Sequence, residues 1–403
     1  MRKPLITHIL PAVFGAVAIC ILLGADWRQF RGTSSNSVSA DSRIPLEWSA
    51  TSNVAWRTPI PGKGASSPIV VDGRLFVTRS GGVKQDRLHV ISLDAVSGKK
   101  LWQRDFWATG RTYTHPSSSV AAPTPASDGK HIVAFFSSND LVCLDLDGNL
   151  LWYRGLALDF QKAGNDIGMS SSPTISGEVV VVQAENQGNS FATGIDIHSG
   201  RELWRTTRGN LANWASPIAI DGPNGQPAVL LQSPTGITAY ESTSGKVLWE
   251  MELSCGTIPS PTLAGDLLLL NSNGTTALKI GKGVTQPTIA WTSNRLGMNG
   301  ASPIVHDGKL YVLSGAIAKC ADLATGELEW QVRLSGRFWA SPILAGGHLY
   351  FINQDGEAQV VSIGTTGTLV AKSSFGELVQ GTPAVSGDAM YVCTDKHVWK
   401  ITE

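Results

Sequence analysis

The sequence predicts an all-β fold, an eight-bladed β-propeller of four-stranded antiparallel blades closed by its N-terminal strand. Three observations carry that expectation. A small residue followed by proline recurs eight times. A glycine turn followed four residues later by tryptophan recurs between those anchors. One further tryptophan, Trp56, stands at the repeat spacing before the first anchor and has no blade of its own.

Composition sets the frame. Of 403 residues 42% are hydrophobic and 16% charged, enough apolar material for a large core, which excludes a disordered chain or a coiled coil. The 43 Gly and 20 Pro suit a turn-dense β chain. Lys+Arg and Asp+Glu both total 32, so the basic footprint of a nucleic-acid-binding protein is missing.

The anchors are Ser67-Pro68, Ala122-Pro123, Ser172-Pro173, Ser216-Pro217, Ser260-Pro261, Ser302-Pro303, Ser341-Pro342 and Thr382-Pro383. Their prolines are 39 to 55 residues apart, the period of a propeller blade. Proline can open an innermost strand, because a residue facing the channel need not donate to the ladder. After most anchors come a few apolar residues, a turn such as Asp72-Gly73 or Asp307-Gly308, and a β-rich run such as Leu75-Phe76-Val77. A third strand then leads to a second turn, Asp94-Ala95-Val96-Ser97-Gly98 in the first repeat and Asp322-Leu323-Ala324-Thr325-Gly326 in the sixth. Positive φ at that glycine closes a hairpin. Adjacent large residues such as Leu101-Trp102 and Leu203-Trp204 point to opposite faces of one strand, so each sheet must be covered on both sides.

The docking tryptophans are Trp56, Trp102, Trp152, Trp204, Trp249, Trp291 and Trp330. Trp56 stands twelve residues before Pro68, the spacing of Trp249 to Pro261 and Trp330 to Pro342. Chain is lacking for an outermost strand after Pro383, so residues 53–60 are expected to supply it and remove the free edge. Ala371 occupies the tryptophan position of the seventh repeat, which predicts a less filled blade. The resulting organisation is a signal segment over 1–25, a lead segment over 26–52 and the propeller over 53–403.

Arg2 and Lys3 precede an apolar stretch from Ala12 that ends in Leu23-Gly24-Ala25, the pattern of a cleaved export signal, with an uncleaved anchor as the alternative. Ile19 precedes Cys20 where a lipoprotein signal takes a small residue, which argues against lipid attachment. Cys143, Cys255, Cys320 and Cys393 are dispersed without a Cys-x-x-Cys pair and read as buried small hydrophobes. Phosphate-loop, His-Glu-x-x-His and Gly-x-Ser-x-Gly motifs are missing, so no catalytic residue and no metal ligand is assigned. Asp145-Leu146-Asp147-Gly148-Asn149 reads as a hairpin, since the distal Glu of a calcium loop is lacking. Asn271-Ser272-Asn273-Gly274 and Asn353-Gln354-Asp355-Gly356 read as turns, with ligand contact as the alternative.

The repeated Asp-x-x-Ser/Thr-Gly-x-x-Leu-Trp resembles the tryptophan-docking repeat of the PQQ-like (quinoprotein) propellers over roughly residues 48 to 403. Asp26-Trp27-Arg28-Gln29-Phe30-Arg31-Gly32 resembles the start of the mature chain in exported members. The resemblance implies one of two branches. BamB-like members are non-catalytic envelope scaffolds, with outer-membrane assembly components among their partners. Quinoprotein dehydrogenases hold PQQ with calcium, using an adjacent Cys-Cys pair, Glu, Asn and Asp ligands and an Asp base. This sequence has no Cys-Cys pair, so the expectation is an exported BamB-like scaffold without cofactor. It is expected to act as a monomer, touching membranes only by association or an uncleaved anchor.

The functional surface is expected on the face carrying the inter-blade connections. Two are long, from Trp102 to Pro123 and from Trp152 to Pro173. On neighbouring blades they should form one raised patch. Its candidate residues are Trp107, Arg111, Tyr113, His115, Phe160, Asn165 and Asp166, joined by Trp214 and Trp339 just before their anchors. Aromatic and Arg content of this kind suits a protein-binding hot spot. On the enzymatic alternative, a quinone would stack on one of those tryptophans.

Overall fold

The computed structural model describes residues 25–160, 163–164 and 167–403. The proposed signal with Cys20, and the loop residues Gln161, Lys162, Asn165 and Asp166, lie outside them. Eight antiparallel sheets follow one another in sequence order. Blade 1 comprises Ile69–Val71, Arg74–Gly81, Arg87–Asp94 and Lys100–Trp107, from inside outward. Blades 2 to 7 span residues 126–155, 174–208, 218–252, 262–293, 304–333 and 343–374. Blade 8 is built from 384–401 with Val54–Pro59 as its outer strand. Its register, Trp56 opposite Lys400 and Thr58 opposite Val398, places the expected closure strand on the last blade.

The tryptophan motif now has a physical account. In blade 1, Asp94 accepts hydrogen bonds from Ser97 N (2.7 Å) and Ser97 Oγ (2.6 Å), fixing a turn that ends at Gly98 with φ +70°. That glycine lies against Trp56 of blade 8. The pairing repeats around the ring, with a Cβ at Gly200 falling 2.7 Å from Trp152 and one at Gly326 2.5 Å from Trp291. Glycine is therefore needed twice, for its backbone and for the neighbouring indole. The indole N–H groups of Trp102, Trp152 and Trp204 donate to carbonyls of the next blade at 2.9, 2.7 and 2.7 Å.

Three expectations are corrected. Blade 7 has five strands, because Val38–Ser39 of the lead segment adds in parallel to its inner edge, Ile343–Ala345. That blade is not underfilled: Trp48 is buried in one cluster with Ala371 and stacks obliquely on Phe375 at 5.4 Å. Finally, blade 2 begins two residues later than the repeat implied. Its inner strand is Ala126–Ser127, so the anchor is Thr124-Pro125 instead of Ala122-Pro123. A one-turn helix, Leu156–Asp159, interrupts the all-β pattern in the second long connection.

Four thiols sit in four blade cores as small hydrophobes. Burial pushes those of Cys143, Cys255 and Cys320 up to about 12. The Asp145 turn is a hairpin whose carboxylate accepts Asp147 N and Asn149 N, while Asp147 pairs with Arg74 at 2.7 Å.

Candidate functional site

The inner strands converge on a collar of hydroxyls. Ser67 N–H donates to Thr124 Oγ1, Thr124 N–H to Ser172 Oγ, and Ser172 N–H to Ser216 Oγ, each at 3.0 Å. The series continues through Ser260, Ser302 and Ser341 to Thr382 at 2.9 to 3.0 Å. The anchor residue thus does more than open a strand: its hydroxyl satisfies a buried N–H of the preceding blade. Each such bond contributes about 1 kcal/mol, and an orphaned buried N–H costs about 1–3 kcal/mol. This is also why Ala122 cannot be the second anchor.

Antiparallel meanders put the two Gly turns of blades 1 to 7, and the Gly387 turn of blade 8, on one face and the inter-blade connections on the other. The lead segment closes the channel from the turn face. Trp27 exchanges backbone hydrogen bonds with Val70, and Ser127 N–H donates to Arg28 O. The chain then enters the channel. Arg31 is fully buried, donating to Pro261 O (3.0 Å), Thr262 Oγ1 (2.5 Å) and Pro303 O (2.6 Å). Arg31 has no carboxylate partner among the described residues, and burial pushes its guanidinium down to about 9. Phe30 caps it and forms part of the floor of the cavity above.

That cavity opens on the connection face and measures about 550 Å³, within the usual range for ligand sites. The collar rings its floor. Of the predicted residues, His115, Trp214 and Trp339 line it, joined by Arg337, Gln354 and Gln380. The two long connections meet as expected: His115 N–H donates to Ile167 O at 3.0 Å. Trp214 Nε1 donates to Gly168 O at 2.8 Å, and Lys63 Nζ to Pro116 O at 2.6 Å, stapling the pair over one side of the mouth. A second hollow, about 490 Å³, continues outward past Ile258, Gly300 and Trp339 toward Phe338 and Leu313.

The other described residues of the predicted set, Trp107, Arg111, Tyr113 and Phe160, lie apart from the cavity wall. Trp107 is 62% exposed, with Arg87 over its ring at 4.7 Å. Tyr113 is 60% exposed and carries Arg111 over its face at 5.3 Å. Phe160 is used in packing, stacked on Phe191 at 3.7 Å with Arg205 over it. The docking tryptophans are all remote, lying between blades. Sequence reasoning missed Arg337, Phe30 and the hydroxyl collar, and singled out Gln354 as a turn residue with ligand contact as the alternative. The repeated Ser or Thr before proline was the available signal for the collar.

The described wall carries no carboxylate and no thiol. Among the described residues no three His, Cys, Asp or Glu side chains gather where a metal could bind. The donor set therefore does not fit the calcium-bound quinone that the enzymatic branch implies. Trp214 and Trp339 could offer a stacking surface.

Eight blades, interlocked tryptophans and a channel open on one face define a PQQ-like propeller. The family model described as outer membrane protein assembly factor BamB matches residues 38–167, 161–260 and 282–370, and the chain belongs to that family. Tetrathionate hydrolase of Acidithiobacillus ferrooxidans is 22% identical over 378 residues, covering 72% of this chain and 70% of that protein. BamB of Yersinia pestis is 23% identical over 250 residues, 57% of this chain and 61% of its own length. BamB of Legionella pneumophila matches over 48% of its length at 25% identity, covering 45% of this chain. Among solved structures, a europium-containing methanol dehydrogenase superposes with TM-score 0.70 at 14% identity, covering 92% of this chain and 89% of its own. BamB from Moraxella catarrhalis superposes with TM-score 0.63 at 16% identity, covering 86% and 99%.

Proposed function

We propose that this chain is an exported, non-catalytic propeller that acts as a protein-interaction scaffold in the cell envelope, in outer-membrane-protein assembly. Its contact surface is the connection face. The observation that carries this reading is the pair Tyr113 and Trp107, two exposed aromatics on one face, each held by an arginine over its ring. Aromatic and Arg anchors ordered before binding lose little entropy on docking. Membership of the BamB family supports the same reading. The protein acts as a monomer, peripheral to the membrane.

The experiment is co-purification from the envelope. The triple variant Arg111→Ala, Tyr113→Ala, His115→Ala should fold normally and lose outer-membrane assembly components that the wild type retains. Retention of those components would count against the scaffold. The enzymatic alternative is favoured by one observation, the two tryptophans at the cavity. Addition of PQQ and calcium should give neither saturable Trp quenching nor dye-linked turnover, and both together would overturn the proposal.

A further inference from the structure

The mismatch between the cavity and a calcium-bound quinone raises the question of what its walls would hold. Seven collar hydroxyls, from Thr124 to Thr382, each accept an anchor N–H. A hydroxyl that already accepts has its own hydrogen to give. None of the seven donates to a protein acceptor among the described residues, and all line the cavity. Blade symmetry has therefore arranged a ring of donors around one floor.

Of the remaining polar groups, Gln380 donates from Nε2 to Ser117 O and keeps an acceptor, whereas the others add donors. Gln354 accepts from Trp339 Nε1 at 3.2 Å, which leaves its amide N–H groups to donate. His115 Nδ1 is engaged by Ser117, at 2.7 Å from its Oγ and 3.2 Å from its N–H, so a ring that accepts there carries its hydrogen on Nε2. Arg337 stands at the rim, exposed and without an ion pair among the described residues. Arg31 lies just beneath the floor, bound to the residues that directly follow Ser260 and Ser302, so it is only a residue or two below the collar. Among the described residues its charge has no carboxylate partner, and charge buried without a partner is costly. Among the described residues, a ring of donors with two cations and no carboxylate to oppose them describes an anion site.

We infer that the channel cavity binds a multivalent small oxyanion, held by the hydroxyl collar over Arg31 and by Arg337 at the rim. The ligand needs no metal. The inference goes beyond the scaffold reading and shares only His115 with it; its deciding variants, Arg337→Gln and Ser216→Ala, leave the scaffold residues intact, so either can fail without the other.

Calorimetric titration of the full chain with tetrathionate, citrate and sulfate tests it, at ionic strength fixed with chloride and with myo-inositol as neutral control. These probes separate sulfur oxyanions from polycarboxylates. At least one of the three should bind one-to-one with saturation, and inositol should not bind. Arg337→Gln should weaken that binding about tenfold, the loss of one charged contact at 1.4 kcal/mol. Ser216→Ala should weaken it at least about threefold. Should Ser216→Ala fail to fold, Arg337→Gln decides alone, because that side chain is exposed. Absence of saturation with all three anions, equal binding of inositol, or unchanged affinity in Arg337→Gln would overturn the inference.

Discussion

Gly98 lies flat on the indole of Trp56, so the first blade is sealed to a strand that precedes it in sequence but belongs to the last blade. A Cβ at residue 98 would overlap the ring and fall 2.7 Å from Thr58 Oγ1, at a backbone φ of +70°. Thr58 Oγ1 also donates to Gly98 O at 2.7 Å. Gly98→Ala is therefore expected to cost about 3 kcal/mol, combining a left-handed backbone with overpacking. Urea unfolding of the variant checks this. A midpoint equal to that of the wild type would show that the seam is not tight.

Deletion of residues 26–60 removes the outer strand of blade 8, Trp48 and the Arg31 plug together. It also removes the Val38–Ser39 strand of blade 7 and leaves the Lys400 strand as a free edge. The truncated chain should melt well below the full chain and aggregate on heating. Melting at the full-length temperature would mean that closure contributes little.

The second anchor offers a point test of register. Thr124→Val keeps the shape and removes the acceptor for Ser67 N–H, a buried group, so it should cost about 1–3 kcal/mol. Ala122→Ser should not rescue it, because residue 122 is outside the collar. Thermal melts of the two single variants and the double variant decide the matter.

Most of the ring was legible because each blade repeats a local rule: an aspartate turn, a glycine for the neighbouring indole, a tryptophan four residues on. The same local rule misplaced blade 2, where Ala122-Pro123 and Thr124-Pro125 both satisfy a small residue before proline. Only the interblade hydroxyl bond distinguishes them. Phe30 and Arg31 were invisible as a plug, since Arg31 meets partners 230 and 272 residues away and no periodicity marks them. Trp214 and Trp339 were legible at the mouth because they directly precede their anchors. Arg337, two residues before Trp339, carries no repeat signal at all.

Acid should weaken the ring through its turns. Hydrogen bonds from Ser97, Ser199 and Thr325 hold the carboxyls of Asp94, Asp196 and Asp322 below the ordinary value of 3.8. With folded values depressed, the unfolded chain binds more protons, so stability is full above the unfolded value and falls as pH drops through the folded ones. The urea midpoint should decline below about pH 4. Combining Ser97→Ala, Ser199→Ala and Thr325→Ala should flatten that decline, and an unchanged slope would assign it to other carboxylates.

The two faces of the ring differ in what they present to a partner. The turn face is closed by the lead segment, whereas the connection face carries Tyr113 and Trp107. A photo-crosslinking residue placed at Tyr113 and, separately, at the exposed turn-face residue Val96 compares them in the intact envelope. Adducts with outer-membrane assembly components from position 113, and none from position 96, are the predicted result. Adducts with those components from position 96 but not 113 would contradict the assignment of the connection face as the contact surface.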